Sequence, residues 1–510
     1  MSTDYSDILL YGKDSTLGVV SMEINDSSVD LYIQKEDGTV ECKVIENYPW
    51  ILCDRDLGGM VRLKGEQHYK FGRQFKTIDE FQKFYNMNCR RADLYTIHNL
   101  KENCMVNKGI TYFKGINVED ISILSFDIET NGLAINKDSV VYLISNTFKS
   151  KKETISKLFS LDEYPNQVEM IKDWCKWVNE KDPTILVGHN INSFDIPMLM
   201  SITDLNIGRN GSNIEKNKKE SKFRIDGSMD LHYHKLYCYG REIIDTLFLS
   251  YRYDAVKKKY ESYGLKNIIR QEGLEKEGRT FVDSSKIYKE WEDKEKRKLI
   301  KQYAVEDADD ALKLFYLMIP PFFYMTQIIP KPFQVMLESA TGSQINALMV
   351  RSYLQQQHSI AKATEIEKFE GAISFAIPGI YRNVFKVDVA SLYPSIIRTY
   401  KIYDKDKDPQ GNFLKLADTL TLTRLRYKKL HKDTGEKIYD HLQNTFKIAI
   451  NSMYGFMGAS GLNYNSIRNA EAVTRYGREV LAKAIEWATS KPSKYWTDQV
   501  KGEEDGEEDV

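Results

Sequence analysis

Carboxylates that alternate along an apolar stretch could hold metal ions. Asp127 and Glu129 lie two residues apart in the run Ser-Phe-Asp-Ile-Glu-Thr, and on a β-strand residues at i and i+2 share one face. Phosphoryl chemistry on a polyanion is helped by two divalent cations about 3.5 to 4 Å apart, because the attacking and leaving oxygens both need charge neutralisation. Carboxylates suit Mg²⁺. Alone, this pair is weak evidence, since such pairs are more often found at a solvated strand edge.

A second carboxylate follows a short apolar strand. Residues 188–195 read Gly-His-Asn-Ile-Asn-Ser-Phe-Asp, which indicates a strand that enters a turn with Asp195 just beyond it. Loops after strands are where sites collect in α/β layers. The plain structural alternative is that Asp195 only caps the next helix.

A third candidate combines a phenol and a carboxylate. Tyr303 and Asp307 are four residues apart in a segment with helical character, so both side chains lie on one helix face. The alternative is a helix with a generally acidic surface, as Glu306, Asp309 and Asp310 suggest.

Together, these segments resemble the three exonuclease motifs of the DEDDy 3′→5′ proofreading domain of family B DNA polymerases, in order, spacing and flanking residues. The resemblance implies an RNase H-like domain that holds two Mg²⁺ ions, with Mn²⁺ as an alternative. It also implies that Tyr303 orients the attacking water and that Asn190 and Phe194 contact the substrate. The implied metal ligands are Asp127, Glu129, Asp195 and Asp307.

A second candidate site begins at Asp388. Residues 387–397 read Val-Asp-Val-Ala-Ser-Leu-Tyr-Pro-Ser-Ile-Ile, and the apolar run 385–389 predicts a buried strand with one carboxylate. Because an unpaired buried carboxylate is costly, Asp388 calls for a cation or a hydrogen-bond partner. The run resembles motif A of family B polymerases, DxxSLYPSII.

This resemblance assigns roles to the motif A residues. It implies that Asp388 and Val389 bind the polymerase metals, again two ions. Backbone amides through Ser391 and Leu392 would approach the incoming triphosphate, and Tyr393 would stack under the sugar and reject a 2′-hydroxyl.

Downstream, three side chains share one stripe of a predicted helix: Lys447, Asn451 and Tyr454. A lysine on a rigid helix can neutralise a triphosphate, and Gly455 removes side-chain bulk where a base pair could approach. The segment resembles motif B of the fingers, KxxxNSxYG.

Two further matches to the family are less specific. Arg424 and Lys428 are four residues apart and resemble its second phosphate-contacting pair, although a solvated basic helix face would look the same. The run Phe369-Glu370-Gly371-Ala372 resembles the template-contacting YxG(G/A) element with Phe in place of Tyr; Gly371 and Ala372 are its expected contacts.

Motif C of the family, YxDTDS, and the thumb are not found after motif B. Thr497-Asp498 has one carboxylate where two are expected and is predicted to be a loop. Without the motif C hairpin, the strand 385–389 would expose apolar surface and unpaired backbone groups. The resulting hypothesis is the N-terminal subunit of a split family B replicative polymerase, similar to phage enzymes divided into two chains.

The resemblance and the apolar patterns predict an α/β multidomain fold with a β-rich N-terminal domain, an RNase H-like exonuclease domain and a partial palm with helical fingers. Strands are expected at 17–24, 29–33, 121–128, 140–144 and 184–188, helices at 167–178, 290–318, 417–432, 441–456 and 469–488, a loop at 206–222 and an extended insert or hairpin at 223–240. The predicted domains are 1–110 (β-rich), 111–320 (exonuclease), 321–416 (partial palm with motif A), 417–456 (fingers with motif B), 457–490 (palm helix) and 491–510 (acidic tail).

Composition sets outer limits on function. The 510 residues are 42% hydrophobic and 28% charged, which excludes a disordered or fibrous chain. The formal net charge is −1, and without the six carboxylates of residues 503–510 it becomes +5, so a local basic groove is compatible with the sequence. The tail reads as a solvated linker or as an electrostatic handle for a basic partner segment.

The six cysteines show no metal-ligand spacing, and no apolar run of about 18 residues or leader pattern is present. The prediction is a cytoplasmic protein without a membrane span, in the host cytoplasm if it is phage-encoded. Its expected partners are primer–template and single-stranded DNA, deoxynucleoside triphosphates and the second polymerase subunit, with a sliding clamp as a further candidate. Two alternatives stay open: a stand-alone 3′→5′ exonuclease with a relic polymerase half, and a non-catalytic DNA-binding scaffold.

Overall fold

The computed structural model describes residues 4–224, 230–255, 258–283, 286–365, 371–374, 376, 379–389, 391–496 and 498. The chain divides into two compact units. The first unit contains Met1–Trp50, Gln74–Phe84 and Ile97–Ala340, and the second contains Ile51–Arg73, Tyr85–Thr96 and Thr341–Val510.

Strands occur mainly in the first half of the chain. In order they are β1 (Val19–Ile24), β2 (Ser28–Gln34), β3 (Val40–Glu46), β4 (Trp50–Cys53), β5 (Val61–Arg62), β6 (Phe71–Gln74), β7 (Leu94–Tyr95), β8 (Ile123–Thr130), β9 (Val141–Lys149), β10 (Thr154–Ser160), β11 (Ile185–Gly188), β12 (Glu215–Arg224), β13 (Asp230–Tyr237) and β14 (Glu242–Asp245).

Helices dominate the second half. In order they are α1 (Ile8–Tyr11), α2 (Ile78–Asn88), α3 (Leu100–Lys108), α4 (Gln167–Lys181), α5 (Asp195–Ile202), α6 (Thr246–Asp254), α7 (Leu265–Gln271), α8 (Ile287–Glu290), α9 (Lys294–Met318), α10 (Pro320–Thr326), α11 (Phe333–Glu338), α12 (Thr341–Leu354), α13 (Leu392–Thr399), α14 (Asn412–Thr434), α15 (Lys437–Met457) and α16 (Ile467–Thr489).

A five-stranded sheet organises the first unit, in the order β10-β9-β8-β11-β14. Strands β8, β11 and β14 run parallel, whereas β9 is antiparallel to both of its neighbours. The parallel strands end at one edge, which is where α/β sheets place their sites. The expected strands near 121–128, 140–144 and 184–188 are therefore confirmed, with small differences at their ends.

Helices cover this sheet. Asn166 begins α4 by accepting the Glu169 backbone N–H, which satisfies a group that the first helical turn leaves free. The apolar face of α4 then buries Trp174, whose indole N–H donates to Asn146 Oδ1 of β9 at 2.8 Å. Helix α9 is fixed against the central strand, since Ser125 Oγ donates to the Ala308 carbonyl at 2.7 Å.

The segment predicted to be a loop at 206–222 is only partly irregular. Residues from Glu215 onward form β12, which pairs antiparallel with β13. The prediction failed because β12 is highly charged and mostly exposed; its stability comes from pairing with β13 and from Phe223, which packs on Phe248 with ring centroids 4.5 Å apart. The extended insert expected at 223–240 is confirmed in β13.

The second unit contains the four-stranded sheet β5-β6-β4-β7 and a helical part. Helices α14 and α15 form a hairpin around Gly435, whose φ of 72° is the left-handed conformation that glycine adopts at little cost. Together with α16, they confirm the helices expected at 417–432, 441–456 and 469–488.

The strand predicted at 385–389 is not formed, so this prediction was wrong. Residues 385–389 have no regular secondary structure, and Asp388 is exposed rather than buried. The expected exposure of apolar side chains is confirmed: Phe385 is 90% exposed and Val387 72%. A strand needs a neighbouring strand to satisfy its backbone groups, and the described residues place none beside this segment.

Near the end of the described chain, Asp498 is helical, unlike the predicted loop, while Thr497 lies outside the described residues. The acidic tail also lies outside them. Among the residues that are described, no helix has the length and apolar character needed to cross a membrane.

Candidate exonuclease and polymerase sites

Three of the predicted carboxylates form a cluster near the carboxyl end of β8, the central strand of the five-stranded sheet. Asp127 and Glu129 project from β8, and Asp307 projects from α9. Each offers an oxygen, and these oxygens lie within 4.8 Å of one another. We call these three side chains the metal-ligand cluster.

Asp195, which follows the turn after β11, also contacts strand β8. It is the first residue of α5, and its Oδ1 accepts the backbone N–H of Ile128 at 3.2 Å. Ile128 lies between Asp127 and Glu129, so this bond fixes Asp195 against the strand that carries two of the ligands.

Two cations flank Asp307. The guanidinium of Arg279 donates to Asp307 Oδ1 through Nη2 and to Asp310 Oδ2 through Nε, the latter at 2.7 Å. Lys266 Nζ lies 3.6 Å from Asp307 Oδ2 and 3.9 Å from the centre of the Tyr303 ring. Asp310 is thus a buried partner of Arg279, which corrects the expectation that it belongs to an acidic surface.

The electrostatics of the cluster favour a bound cation. Burial, together with the charges of neighbouring carboxylates, raises the pKa of Asp127 well above its ordinary value and the pKa of Glu129 to about 8. Burial raises the pKa of Asp195 to about 7, and it raises that of Asp307 against the opposing effect of Lys266. Buried oxygen ligands that repel one another fit a hard divalent cation such as Mg²⁺, which replaces repulsion with attraction.

The turn at residues 188–195, which we call the exonuclease turn, carries the two predicted substrate contacts. Asn190 has a φ of 69° and is partly buried. Phe194 packs partly against the core that α4 and the sheet share. Burial lowers the pKa of His189 to about 4, so that imidazole is neutral at physiological pH.

In the second unit, the structure brings two predicted polymerase residues together. The rings of Tyr393, in α13, and Tyr454, in α15, lie 4.4 Å apart. A Cβ on Gly477 of α16 would lie 3.1 Å from Cε1 of Tyr393, so the missing side chain of Gly477 leaves space for that ring.

Two further predicted residues form a direct contact. Arg424 Nη1 donates to Ser391 Oγ at 2.9 Å, which ties the predicted phosphate-binding helix to the motif A turn. In the YxG-like run, the Gly371 carbonyl accepts from Arg478 Nη1 at 2.6 Å, and Ala372 is exposed. Phe369 and Glu370 lie outside the described residues.

The remaining predicted residues are not gathered into one site. Lys428, Lys447, Asn451 and Gly455 are exposed, as are Asp388 and Val389, and Leu392 is partly buried. Among the described residues, the metal-ligand cluster of the first unit is the group of acidic side chains close enough to hold a metal, and Asp388 is outside it.

Comparison with known families decides the classification. A model of the family B DNA polymerase exonuclease domain matches residues 78–268, and a model of DNA polymerase family B matches residues 398–508. The chain belongs to DNA polymerase family B.

Relatives of this family B chain come from archaea and eukaryotes. The DNA polymerase of Thermococcus gorgonarius is 26% identical over 425 residues, which cover 75% of this chain and 52% of that protein. The DNA polymerase delta catalytic subunit of Schizosaccharomyces pombe is 25% identical over 467 residues, or 76% of this chain and 42% of that protein. The chain spans about half the length of the first curated relatives it matches.

A solved structure supports the fold of this family B chain. The family B DNA polymerase from the hyperthermophilic archaeon Pyrobaculum calidifontis superposes with a TM-score of 0.73 at 18% identity, over 92% of this chain and 71% of that one. This likeness confirms the α/β multidomain fold.

Sequence reasoning missed several residues around the exonuclease site of this family B chain. Lys266 and Arg279 reach Asp307 from distant segments, and no local spacing relates them to it. Asp245 was also missed, although its place directly after the apolar pair Ile243 and Ile244 was a usable signal.

Proposed function

We propose that this chain is the N-terminal subunit of a split family B replicative DNA polymerase, with a 3′→5′ proofreading exonuclease and part of a polymerase site. The observation that carries the exonuclease proposal is the metal-ligand cluster. The cluster and the neighbouring Asp195 together supply four buried or partly buried carboxylates from three different elements, an arrangement that is costly to maintain unless a cation binds there. Its substrate would be the 3′ end of single-stranded DNA.

In this proposal, Asp127, Glu129, Asp195 and Asp307 hold two Mg²⁺ ions. The bound ions supply charge neutralisation at the scissile phosphate and lower the pKa of a water molecule. Tyr303 would orient that water through its hydroxyl. Asn190 and Phe194 would hold the terminal nucleotides by a hydrogen bond and by stacking.

The exonuclease is tested by degradation of single-stranded DNA in Mg²⁺. We expect the double variant Asp127→Ala with Glu129→Ala to lose at least about 10³-fold in rate, because it removes half of the ligands. Glu180→Ala, an exposed glutamate on α4, is the control and should keep the wild-type rate. Full activity of the double variant would refute the assignment.

The polymerase half of the proposal concerns motifs A and B. Asp388 would supply one carboxylate to the polymerase metals, Tyr393 would select the sugar, and Arg424, Lys428 and Lys447 would neutralise the triphosphate. The contact between the rings of Tyr393 and Tyr454 supports this proposal, because it joins motif A to motif B in one place.

We further propose that the missing carboxylates come from a second polypeptide that carries motif C and the thumb, as in divided phage polymerases. The exposed apolar residues of the segment 384–389 support this idea, since a paired strand would cover them. The assembled enzyme would act in the cytoplasm, on primer–template DNA with deoxynucleoside triphosphates. A sliding clamp is a further candidate partner.

The test is primer extension with and without a chain that carries the YxDTDS element. We expect extension only from the mixture, and Asp388→Asn should abolish it while leaving the exonuclease intact. Robust extension by this chain alone would refute the split arrangement. Degradation of DNA without extension in any mixture would instead favour the stand-alone exonuclease, whose ligands all lie in the first unit.

A further inference from the structure

A buried carboxylate that belongs to none of the predicted motifs lies beside the exonuclease turn. Asp245 ends β14 and is 4% exposed. Its register partner on β11 is Gly188, where the exonuclease turn begins. The side chain therefore sits at the point where the chain leaves the sheet and heads towards Asp195.

Both carboxylate oxygens of Asp245 are used by backbone amides. Oδ1 accepts the N–H of Asn190 at 2.7 Å and that of Leu247 at 3.0 Å, and Oδ2 accepts the N–H of Asn192 at 3.1 Å. Two of these three donors belong to the exonuclease turn. A charged acceptor forms stronger bonds than a neutral one, and a buried N–H that loses its acceptor destabilises the conformation that holds it.

Within the turn, the Asn190 carbonyl accepts the N–H groups of Ser193 and Phe194 at 3.1 Å each, but the N–H groups of Asn190 and Asn192 are bonded outside the turn, to Asp245. Asn190 adopts a left-handed backbone conformation, and Asn192 is almost fully buried. Neither amide is used by a strand, because β11 ends at Gly188. The first part of the turn therefore depends on an acceptor from a neighbouring element, and Asp245 is that acceptor.

The next residue strengthens the connection between β14 and the turn. Thr246 Oγ1 lies 3.0 Å from the Gly188 carbonyl and 3.0 Å from His189 Nδ1. Asp245 and Thr246 thus contact four of the first five positions of the exonuclease turn, all but Ile191.

Asp245 is not itself placed to hold a metal. It is outside the metal-ligand cluster, and its oxygens already accept three amide hydrogens. Its hydrogen bonds act on the site through the turn: Asn190 is a proposed substrate contact, and Asp195, whose pKa is raised by burial and also by the nearby Asp245 charge, lies three residues after Asn192.

We propose that Asp245 is a positioning residue of the exonuclease, which fixes the exonuclease turn so that Asp195 meets the metal ions and Asn190 meets the DNA strand. This inference rests on the proposed exonuclease function. Residues that orient metal ligands typically contribute 10–100-fold to metal affinity or activity when they are replaced, so the effect is large enough to measure.

The variant Asp245→Asn tests the proposal with little change in shape. An amide has one acceptor oxygen, so at least one turn N–H would face an NH₂ group and lose its bond. Glu242→Gln is the matched control: Glu242 is on the same strand, is 3% exposed and accepts one backbone N–H, from Gln334, away from the turn.

Two measurements are made on the full chain. The first is Mn²⁺ binding by calorimetry in the absence of DNA, and the second is kcat and KM for degradation of single-stranded DNA. We expect Asp245→Asn to weaken Mn²⁺ binding about 10-fold or more and to lower kcat about 10–100-fold, with a raised KM through Asn190. Glu242→Gln should change neither quantity.

The outcomes separate this proposal from the exonuclease proposal. Wild-type Mn²⁺ affinity and kcat in Asp245→Asn, or equal losses in Glu242→Gln, would overturn the positioning role. If the wild type degrades no DNA, the exonuclease proposal fails, while the Mn²⁺ arm still decides the role of Asp245. Should Asp245→Asn fail to fold, Thr246→Val replaces it: a smaller loss of Mn²⁺ affinity supports the proposal, and unchanged affinity overturns it.

Discussion

Replacing Glu129 with glutamine should stabilise the metal-free protein while it removes a metal ligand. Burial and the charge of Asp307 raise the pKa of Glu129 from 4.5 to about 8. In the unfolded chain the same group ionises near its ordinary pKa. At pH 7 the folded state therefore keeps a proton that the unfolded state has lost.

The sign of the pH dependence follows from this difference. Below the ordinary pKa of 4.5 both states are protonated, so Glu129 has no effect on stability. As pH rises towards 8, the free energy of unfolding falls by about 1.4 kcal/mol per pH unit, and above that range the loss levels off. At pH 7 the loss amounts to about 3 kcal/mol as an upper value. Glutamine cannot ionise, so the Glu129→Gln variant does not lose this free energy of unfolding.

The assay is urea unfolding in EDTA, followed by tryptophan fluorescence at pH 5 and pH 7. We expect Glu129→Gln to exceed the wild type by up to about 3 kcal/mol at pH 7 and by only about 0.8 kcal/mol at pH 5. Saturating Mg²⁺ should reverse the order, because the wild type alone retains the full ligand set. The exposed variant Glu180→Gln serves as the control. A stability difference that does not change with pH would refute the reasoning.

Three other substitutions give sharp expectations. Arg279→Met removes the cation that bridges two buried carboxylates, although Lys266 stays near Asp307 and Lys313 near Asp310, and a loss of up to about 3–5 kcal/mol should appear in urea unfolding; a neutral result would show that the bridge does not persist in solution. Gly188→Ala places a Cβ 1.9 Å from Ile191 Cγ2, so exonuclease activity should fall with a stability loss of about 1–3 kcal/mol; wild-type rates would contradict this steric argument. Gly477→Ala crowds the ring of Tyr393, and in the reconstituted polymerase it should lower the preference for deoxynucleotides over ribonucleotides, measured as the ratio of their kcat/KM values; an unchanged ratio would count against the contact.

The exonuclease half could be predicted from sequence because its residues sit in locally regular elements. The pair Asp127 and Glu129 needs only a strand, and Tyr303 with Asp307 needs only a helix. Both elements are formed and bring their side chains to one sheet edge. The site roles and the domain boundaries remain predictions.

Residues that act through tertiary packing could not be found in the same way. Arg279 lies 28 positions before Asp307, and Asp245 reaches the exonuclease turn across a parallel strand pair. Neither separation along the chain corresponds to the repeat of a helix or a strand, so no sequence pattern points to these contacts. Strand β12 was missed for another reason: its charged sequence favours a loop, and only pairing with β13 makes it a strand.

The run 385–389 shows the opposite error. Its apolar residues favour a strand by composition, but a strand also requires a neighbour, and sequence patterns do not report whether one is present. The side chains of Phe385 and Val387 are consequently left in water.

That uncovered segment also bears on how the protein behaves during synthesis. Ile380 is 98% exposed and Val384 73%. Apolar side chains therefore remain in contact with water after the rest of the chain has folded. A polypeptide in this condition is a natural client for holdase chaperones and self-associates as its concentration rises. Recombinant yield of soluble protein should therefore fall as the expressed concentration rises.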